Sequence, residues 1–292
     1  MTLLTRRRVL SIMAGCLAAP TAARAAEVWH GRAMGADARI VLMQPQGRSL
    51  YPVFSAIETI IAGVERQFSL HTASELERLN ATGVLRHPTK GMSEVLALAG
   101  QVHAATDGAF DPTVQPLWLA LARGEDVTAA RALVGWDKVS ITTDGIGLPA
   151  GVQLTLNGIA QGYCADQVAA YLRSEGFDHV LIDTGEVAAI GTQVDGSAWP
   201  VMLAGPQDQP IGRSELADWA VATSSPFSLR LAGGAPHILG PRGQSPQWST
   251  VSISAPSAAV ADALSTAACL LRIEQITQAL ARFPGARLDA IA

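Results

Sequence analysis

The sequence predicts an α+β fold. Short apolar runs that alternate with a period of two interleave with stretches whose apolar residues recur every three or four positions, so strands and helices are mixed along the chain. Several of the strands are expected to be antiparallel neighbours, which gives mixed, largely antiparallel sheets with flanking helices. No repeat, low-complexity tract or linker marks a domain boundary, and 292 residues, 49% of them hydrophobic, fill one large domain or two small ones.

A turn around Met34-Gly35 precedes a strand at residues 39–43. Between Tyr51 and Phe68, the residues Val53, Ile57, Ile60, Ile61, Val64 and Phe68 fall at helical spacing, the pattern of an amphipathic helix. Residues 74–80 read as a short helical turn, and 93–105 as a full helix stopped by Thr106-Asp107-Gly108. Phe110-Asp111-Pro112-Thr113-Val114 is too interrupted by proline for a central strand and reads as a loop. Gly145-Ile146-Gly147 lacks the third glycine and the following helix of a dinucleotide fingerprint and reads as a turn. Residues 153–157 alternate as a strand, after which Gly158 opens a turn into a helix over 161–175, capped by Gly176. Short strands are expected at 180–183, 199–203, 220–223 and 250–254, and two helices at 260–271 and 273–283.

A net charge of −4 provides no basic footprint, so nucleic acid is not a partner. The apolar content excludes a disordered chain, and no heptad persists. Residues 1–25 read as a Tat-type export signal. Arg6-Arg7-Arg8 precedes an apolar run from Val9 to Ala19, too short to span a membrane, and Ala23-Arg24-Ala25 supplies a small-residue cleavage site. The arginine pair points to the Tat route, with an ordinary Sec signal as the alternative. Residues 26–292 are then a periplasmic domain. Cys16 resembles a lipoprotein box, but it sits early in the apolar run, and release after Ala25 is the preferred reading. Cys164 and Cys269 match neither a disulfide framework nor a zinc pair and are expected as buried free thiols.

Polar residues collect at the ends of segments. Asp262 and Thr266, four apart, put a carboxylate and a hydroxyl on one helix face, hard oxygen ligands suited to Mg²⁺; a capping Asp with an incidental Thr is the alternative. The turn Asn157-Gly158 leading into Gln161 offers free backbone amides to an anion, or simply connects two elements. Ala109-Phe110-Asp111 combines an aromatic with a carboxylate, or forms a loop whose Phe plugs the core. His237, in Pro236-His237-Ile238, is a lone histidine, and the six histidines together show no metal-ligand spacing.

The order of these segments resembles the ApbE family, the FAD:protein FMN transferases. The matching stretches are Met34-Gly35; Phe68-Ser69-Leu70-His71 with Ser74-Glu75-Leu76 and Asn80; and Gly108-Ala109-Phe110-Asp111-Pro112-Thr113-Val114. Leu156-Asn157-Gly158-Ile159-Ala160-Gln161-Gly162-Tyr163-Cys164-Ala165-Asp166 follows, then Ala222-Thr223-Ser224-Ser225, His237-Ile238 with Pro241, and Ala261-Asp262-Ala263-Leu264-Ser265-Thr266. The resemblance covers residues 29–271 and implies a single T-fold-like α+β domain that binds FAD and Mg²⁺. Such a protein cleaves the FAD diphosphate, passes FMN to a Ser or Thr hydroxyl of a client flavoprotein and releases AMP. By the same resemblance Met34, His71, Ala109, Phe110 and Asp111 line the flavin and adenine sites, and Thr155, Gln161 and Ile238 match further FAD contacts. The Gly158 carbonyl, Asp262 and Thr266 match the metal site, which makes Asp262 catalytic, and His237 is the candidate base.

Several departures accompany the match. The family carries Asp at 155 and Lys at 161, where this chain has Thr155 and Gln161. Gly240 replaces an Asp, Gly243-Gln244 stands where the family has Thr-Gly, and Ala259 stands where some members are acidic. The client implied is a membrane-anchored respiratory flavoprotein, a role that a nitrous-oxide-reduction-associated subgroup shares. The alternatives are an FAD diphosphatase that yields FMN and AMP, and a non-catalytic periplasmic flavin-binding protein.

Overall fold

The structure, a computed structural model, describes residues 26–43 and 49–292. The export signal expected at 1–25, with Arg6, Arg7, Cys16 and the 23–25 cleavage site, lies outside the described residues. The hairpin β1 (Ala26–Ala33) and β2 (Ala36–Met43) turns at Met34-Gly35. Helices α1 (Tyr51–Phe68) and α2 (Glu75–Thr82), strand β3 (Val84–Arg86) and helix α3 (Lys90–Ala105) follow. Next come α4 (Gln115–Arg123), α5 (Thr128–Leu133), β4 (Ser140–Thr142), β5 (Gly145–Gly147) and α6 (Ala160–Ser174). Five strands then run in succession: β6 (Val180–Asp183), β7 (Val187–Ile190), β8 (Trp199–Ala204), β9 (Pro210–Leu216) and β10 (Ala220–Ser224). After a long irregular loop the chain closes with β11 (Val251–Ala255), α7 (Ala258–Ala268), α8 (Ile273–Leu280) and β12 (Arg287–Ile291).

Seven strands form one sheet in the order β1-β2-β6-β7-β10-β11-β12, and every neighbouring pair is antiparallel. Alternation divides its side chains between two layers, because successive residues of a strand face opposite ways. Ile40, Leu42, Val180, Ile182 and Ile190 join α1, α6 and α7 in the larger core. Val41, Leu181, Val187 and Val221 face the other way and pack with Trp199, Val201, Leu203 and Leu216 of the β8–β9 hairpin. The fold is thus α+β, with helices on one face of the main sheet and a hairpin on the other.

Residues 153–157 are not the expected strand. Leu154 and Leu156 are buried, as alternation demands, but a side chain stands where a neighbouring strand would be. Asn80 Nδ2 donates to the Leu154 carbonyl at 2.8 Å, and the Leu154 N–H donates to Asn80 Oδ1 at 2.7 Å. The Thr155 N–H donates to the Pro112 carbonyl at 2.8 Å, so these backbone groups find partners without a ladder. Gly145-Ile146-Gly147, expected as a turn, is β5, the middle strand of a three-stranded sheet, with Ile146 buried opposite Leu85 and Ile141. The loop expected at 110–114 contains a single 3₁₀ turn at Pro112–Val114.

Two helices that shape the site cap each other. α6 starts after Ile159, which has no side-chain cap to offer, and Asp262 of α7 supplies one: its Oδ2 accepts the Gly162 N–H at 3.2 Å. In return Asp166 of α6 accepts from Ser257 Oγ (2.7 Å) and the N–H groups of Ala258 (2.8 Å) and Ala259 (3.0 Å) at the start of α7. A carboxylate at each helix N-terminus meets the orphan amides and the positive end of the dipole. Burial pushes the Asp166 carboxyl up all the same, against the pull of these donors. The exchange is possible because the helices cross at Gly162, where a Cβ would overlap the Ala258 carbonyl and come within 2.6 Å of Ala259 N.

Candidate active site

A cleft open to solvent gathers residues from five segments. Ala109, Phe110, Asp111 and Pro112 come from the loop after α3, Gln115 and Trp118 from α4, and Thr155, Asn157 and Gly158 from the segment before α6. His237, Ile238 and Leu239 come from the loop between β10 and β11, and Thr266 from α7.

At the floor lie hard oxygen donors. Gly158 packs directly on Thr266, since a Cβ at 158 would sit 2.9 Å from Thr266 Oγ1. Asp262, one turn earlier on the same face of α7, is fully buried. Ser224 Oγ stands 2.8 Å from Ser265 Oγ and 3.3 Å from Thr266 Oγ1, tying this floor to the end of β10. Among the described residues no cluster of three or more His, Cys, Asp or Glu forms a ready-made metal site. One carboxylate, a hydroxyl and a backbone carbonyl are nonetheless a donor set that fits Mg²⁺, which is commonly held by one or two carboxylates and completes its octahedron with phosphate oxygens and water.

His237 overlooks this floor. It is buried, its N–H donates to the Pro226 carbonyl at 2.9 Å, and its Nδ1 lies 2.8 Å from the same oxygen. A carbonyl only accepts, so Nδ1 carries the proton and Nε2 carries the lone pair; this tautomer is assigned from the hydrogen bond. Asp111 is turned inward: its Oδ1 accepts from the Thr113 N–H (2.9 Å) and hydroxyl (2.6 Å), and Thr113 Oγ1 accepts the Gly135 N–H at 2.7 Å. His103 Nδ1 binds the Phe110 carbonyl at 2.9 Å and lies 3.9 Å from Asp111 Oδ2, which holds the Phe110–Asp111 turn against α3. Phe110 is both a core plug and part of the cleft wall.

Besides Asp262, which is buried one turn before Thr266, three expected site residues stand apart from the cleft lining. Met34 sits in the β1–β2 turn with φ +49°, its N–H donating to Glu65 Oε1 of α1 at 2.9 Å. His71 is exposed after α1, its N–H held by Ser69 Oγ at 3.1 Å. Gln161 turns toward the β6–β7 turn, where its Cδ lies 2.9 Å from where a Cβ on Gly185 would be. Gln161 Oε1 is buried without a hydrogen bond among the described residues. Asp183, at the start of that turn, has its carboxyl pushed up to about 6 by burial, against the Gly185 N–H and the Arg39 charge. Cys164 and Cys269 are both buried, and burial pushes Cys164 up to about 12.

A model of the ApbE family matches residues 34–291. The chain belongs to the ApbE family. A FAD:protein FMN transferase of Salmonella typhimurium is 25% identical over 305 aligned positions, covering 93% of this chain and 87% of that protein. The flavinyl transferase ApbE of Pseudomonas stutzeri, solved in its apo form, superposes with a TM-score of 0.76 at 29% identity, covering 88% of this chain and 87% of that one. The ApbE protein of Thermotoga maritima superposes with a TM-score of 0.79 at 25% identity, covering 92% and 96%.

The ApbE match leaves several cleft residues that sequence patterns do not single out. Trp118 and Gln115 are missed because α4 itself is not foreseen; its start at Gln115-Pro116 after a proline-broken loop hides the helical spacing. Asp166 lies inside a family-like stretch but shows its role only once α6 and α7 are paired. The glycine at 240 has a local reason. In the turn 240–244 a Cβ would meet Gln244 N at 2.6 Å and Gln244 Oε1 at 2.7 Å, so no side chain fits there.

Proposed function

We propose that this ApbE protein is a Mg²⁺-dependent FAD:protein FMN transferase, exported to the periplasm, that modifies a Ser or Thr of a membrane-anchored flavoprotein. The reading is carried by the Thr266 hydroxyl and the Gly158 backbone, which line one cleft with His237, together with the Asp262 carboxylate, buried one turn before Thr266 on the same face of α7. Gly158, Asp262 and Thr266 would hold Mg²⁺, which when bound neutralises charge on the FAD diphosphate. The cleft's apolar wall, with Phe110, Trp118 and Ile238, receives the rings of FAD and excludes water from part of it. The client hydroxyl then attacks the phosphorus of the FMN half. An Oγ–P bond forms, the P–O bond of the anhydride breaks, AMP departs with the bridging oxygen, and the hydroxyl proton passes to His237 Nε2. The Pro226 carbonyl, by holding Nδ1–H, stabilises the imidazolium that results.

Thr155 in the cleft wall, where the family carries Asp, motivates a second reading in which flavin is held but not transferred. Incubation with FAD and Mg²⁺, with and without a client domain, separates them. AMP together with a fluorescent client supports transfer, AMP without a labelled client supports an FAD diphosphatase, and bound, intact FAD supports a flavin-binding protein.

A further inference from the structure

α4 separates the cleft from a second open depression of about 650 Å³. Gln115 and Trp118 face the cleft, whereas Leu117 and Leu121, one turn apart, face this groove. The opposite wall comes from the loop between β10 and β11, with Phe227 and Pro236. Leu239 lines both depressions, and Pro236 of the groove is followed directly by His237 of the cleft, so the groove runs up to the imidazole. Arg131 of α5 stands exposed at the rim. Its Nη1 lies 3.2 Å from where a Cβ on Gly243 would be, and it forms no ion pair among the described residues.

The transfer proposed above needs a polypeptide hydroxyl at His237 while FAD occupies the cleft, so the client chain must approach along a surface contiguous with it. Resting on that reading, we infer that the groove seats an extended segment of the client beside its acceptor Ser or Thr. One apolar side chain lies between Leu117, Leu121 and Phe227, and one acidic side chain meets Arg131. The apolar walls give burial, Arg131 at the rim, with Arg230 stacked 4.9 Å over the Phe227 ring, gives charge complementarity, and the passage past Leu239 sets where the hydroxyl arrives.

Dodecapeptides with one central Thr, carrying Leu or Ser and Asp or Lys at the flanking positions, test this in competition for FMN label, read by mass. The wild type, with FAD and Mg²⁺, is expected to prefer the Leu- and Asp-bearing peptide by about ten-fold. Leu121→Asp should abolish the preference for Leu, and Arg131→Glu should turn the preference from Asp to Lys, while flavin fluorescence shows unchanged FAD affinity in both. Equal labelling of all peptides by the wild type, or the wild-type ranking kept in both variants, would overturn the groove assignment. So would labelling of a client domain with no peptide labelled. Failure to label a client domain as well as every peptide would instead overturn the transfer reading on which the groove rests.

Discussion

Replacing Gly162 by Ala tests the packing that builds the floor of the site. In an ordinary helix interior this change stabilises by about 1 kcal/mol, because glycine has the lower helix propensity. Here the added methyl overlaps the Ala258 carbonyl oxygen and sits 2.5 Å from its carbon and 2.6 Å from Ala259 N, all backbone atoms that cannot rotate away. Relief requires α6 and α7 to part by close to an ångström. That movement stretches the Asp166 bonds to Ser257, Ala258 and Ala259, now 2.7–3.0 Å, and the Asp262–Gly162 bond at 3.2 Å. Overpacking costs about 1–3 kcal/mol, and each weakened bond to a buried carboxylate up to about 1.5–3. The propensity gain is outweighed, and a net loss of about 3 kcal/mol is expected in urea unfolding followed by tryptophan fluorescence. Gly176→Ala is the control: φ is +82° there with nothing within 4 Å of a Cβ, so only the left-handed backbone penalty of about 1 kcal/mol applies. A Gly162→Ala protein as stable as the wild type would refute the reasoning, since the two helices would then not be held at backbone contact.

Three further outcomes follow from named contacts. Asn80→Ala leaves the buried N–H and C=O of Leu154 without partners, and should destabilise by about 2–4 kcal/mol and weaken FAD affinity, measured by unfolding and flavin fluorescence. The Asp183 carboxyl, raised to about 6 when folded, binds a proton between pH 4 and 6 that the unfolded chain lacks, so its contribution improves stability as pH falls through 6 and penalises it above. Asp183→Asn should therefore stabilise the protein at pH 8 by about 2 kcal/mol and flatten that part of the stability–pH curve; a loss of stability at pH 8 would contradict it. His237→Gln should slow FMN transfer in single-turnover assays by about 10²–10⁴-fold and remove the pH dependence that the imidazole imposes, whereas an unchanged rate would exclude it as the base.

Much of the fold is legible in the sequence because its helices are amphipathic and its strands alternate. α1 runs between the residues its periodicity predicts, since Val53 to Phe68 bury one face, and β6 matches its short apolar run, with Val180 and Ile182 in one core and Leu181 in the other. The alternation at 153–157 is equally real, and misleads: Leu154 and Leu156 are buried, but the partner of the Leu154 backbone is Asn80, 74 positions away, which no local pattern reveals. β7 and β9 escape notice for opposite reasons. β7 is buried along its whole length and shows no alternation, and β9 begins Pro-Ile-Gly, residues that read as breakers. Of the site, the Asp262–Thr266 pair is visible from its spacing, whereas the capping role of Asp262 at α6 depends on a residue 100 positions away and emerges only from the crossing at Gly162. Gln161, read as an FAD contact by resemblance, points at Gly185, a direction that sequence cannot carry.

The most direct test compares the purified protein with its Asp262→Ala variant in the presence of FAD and a client domain bearing an acceptor Ser or Thr, with either Mg²⁺ or EDTA. AMP release and in-gel flavin fluorescence of the client are followed together. The account predicts equimolar AMP and client-bound FMN from the wild type with Mg²⁺, and neither product in EDTA or from Asp262→Ala. Client labelling that persists in EDTA or in the variant would contradict it.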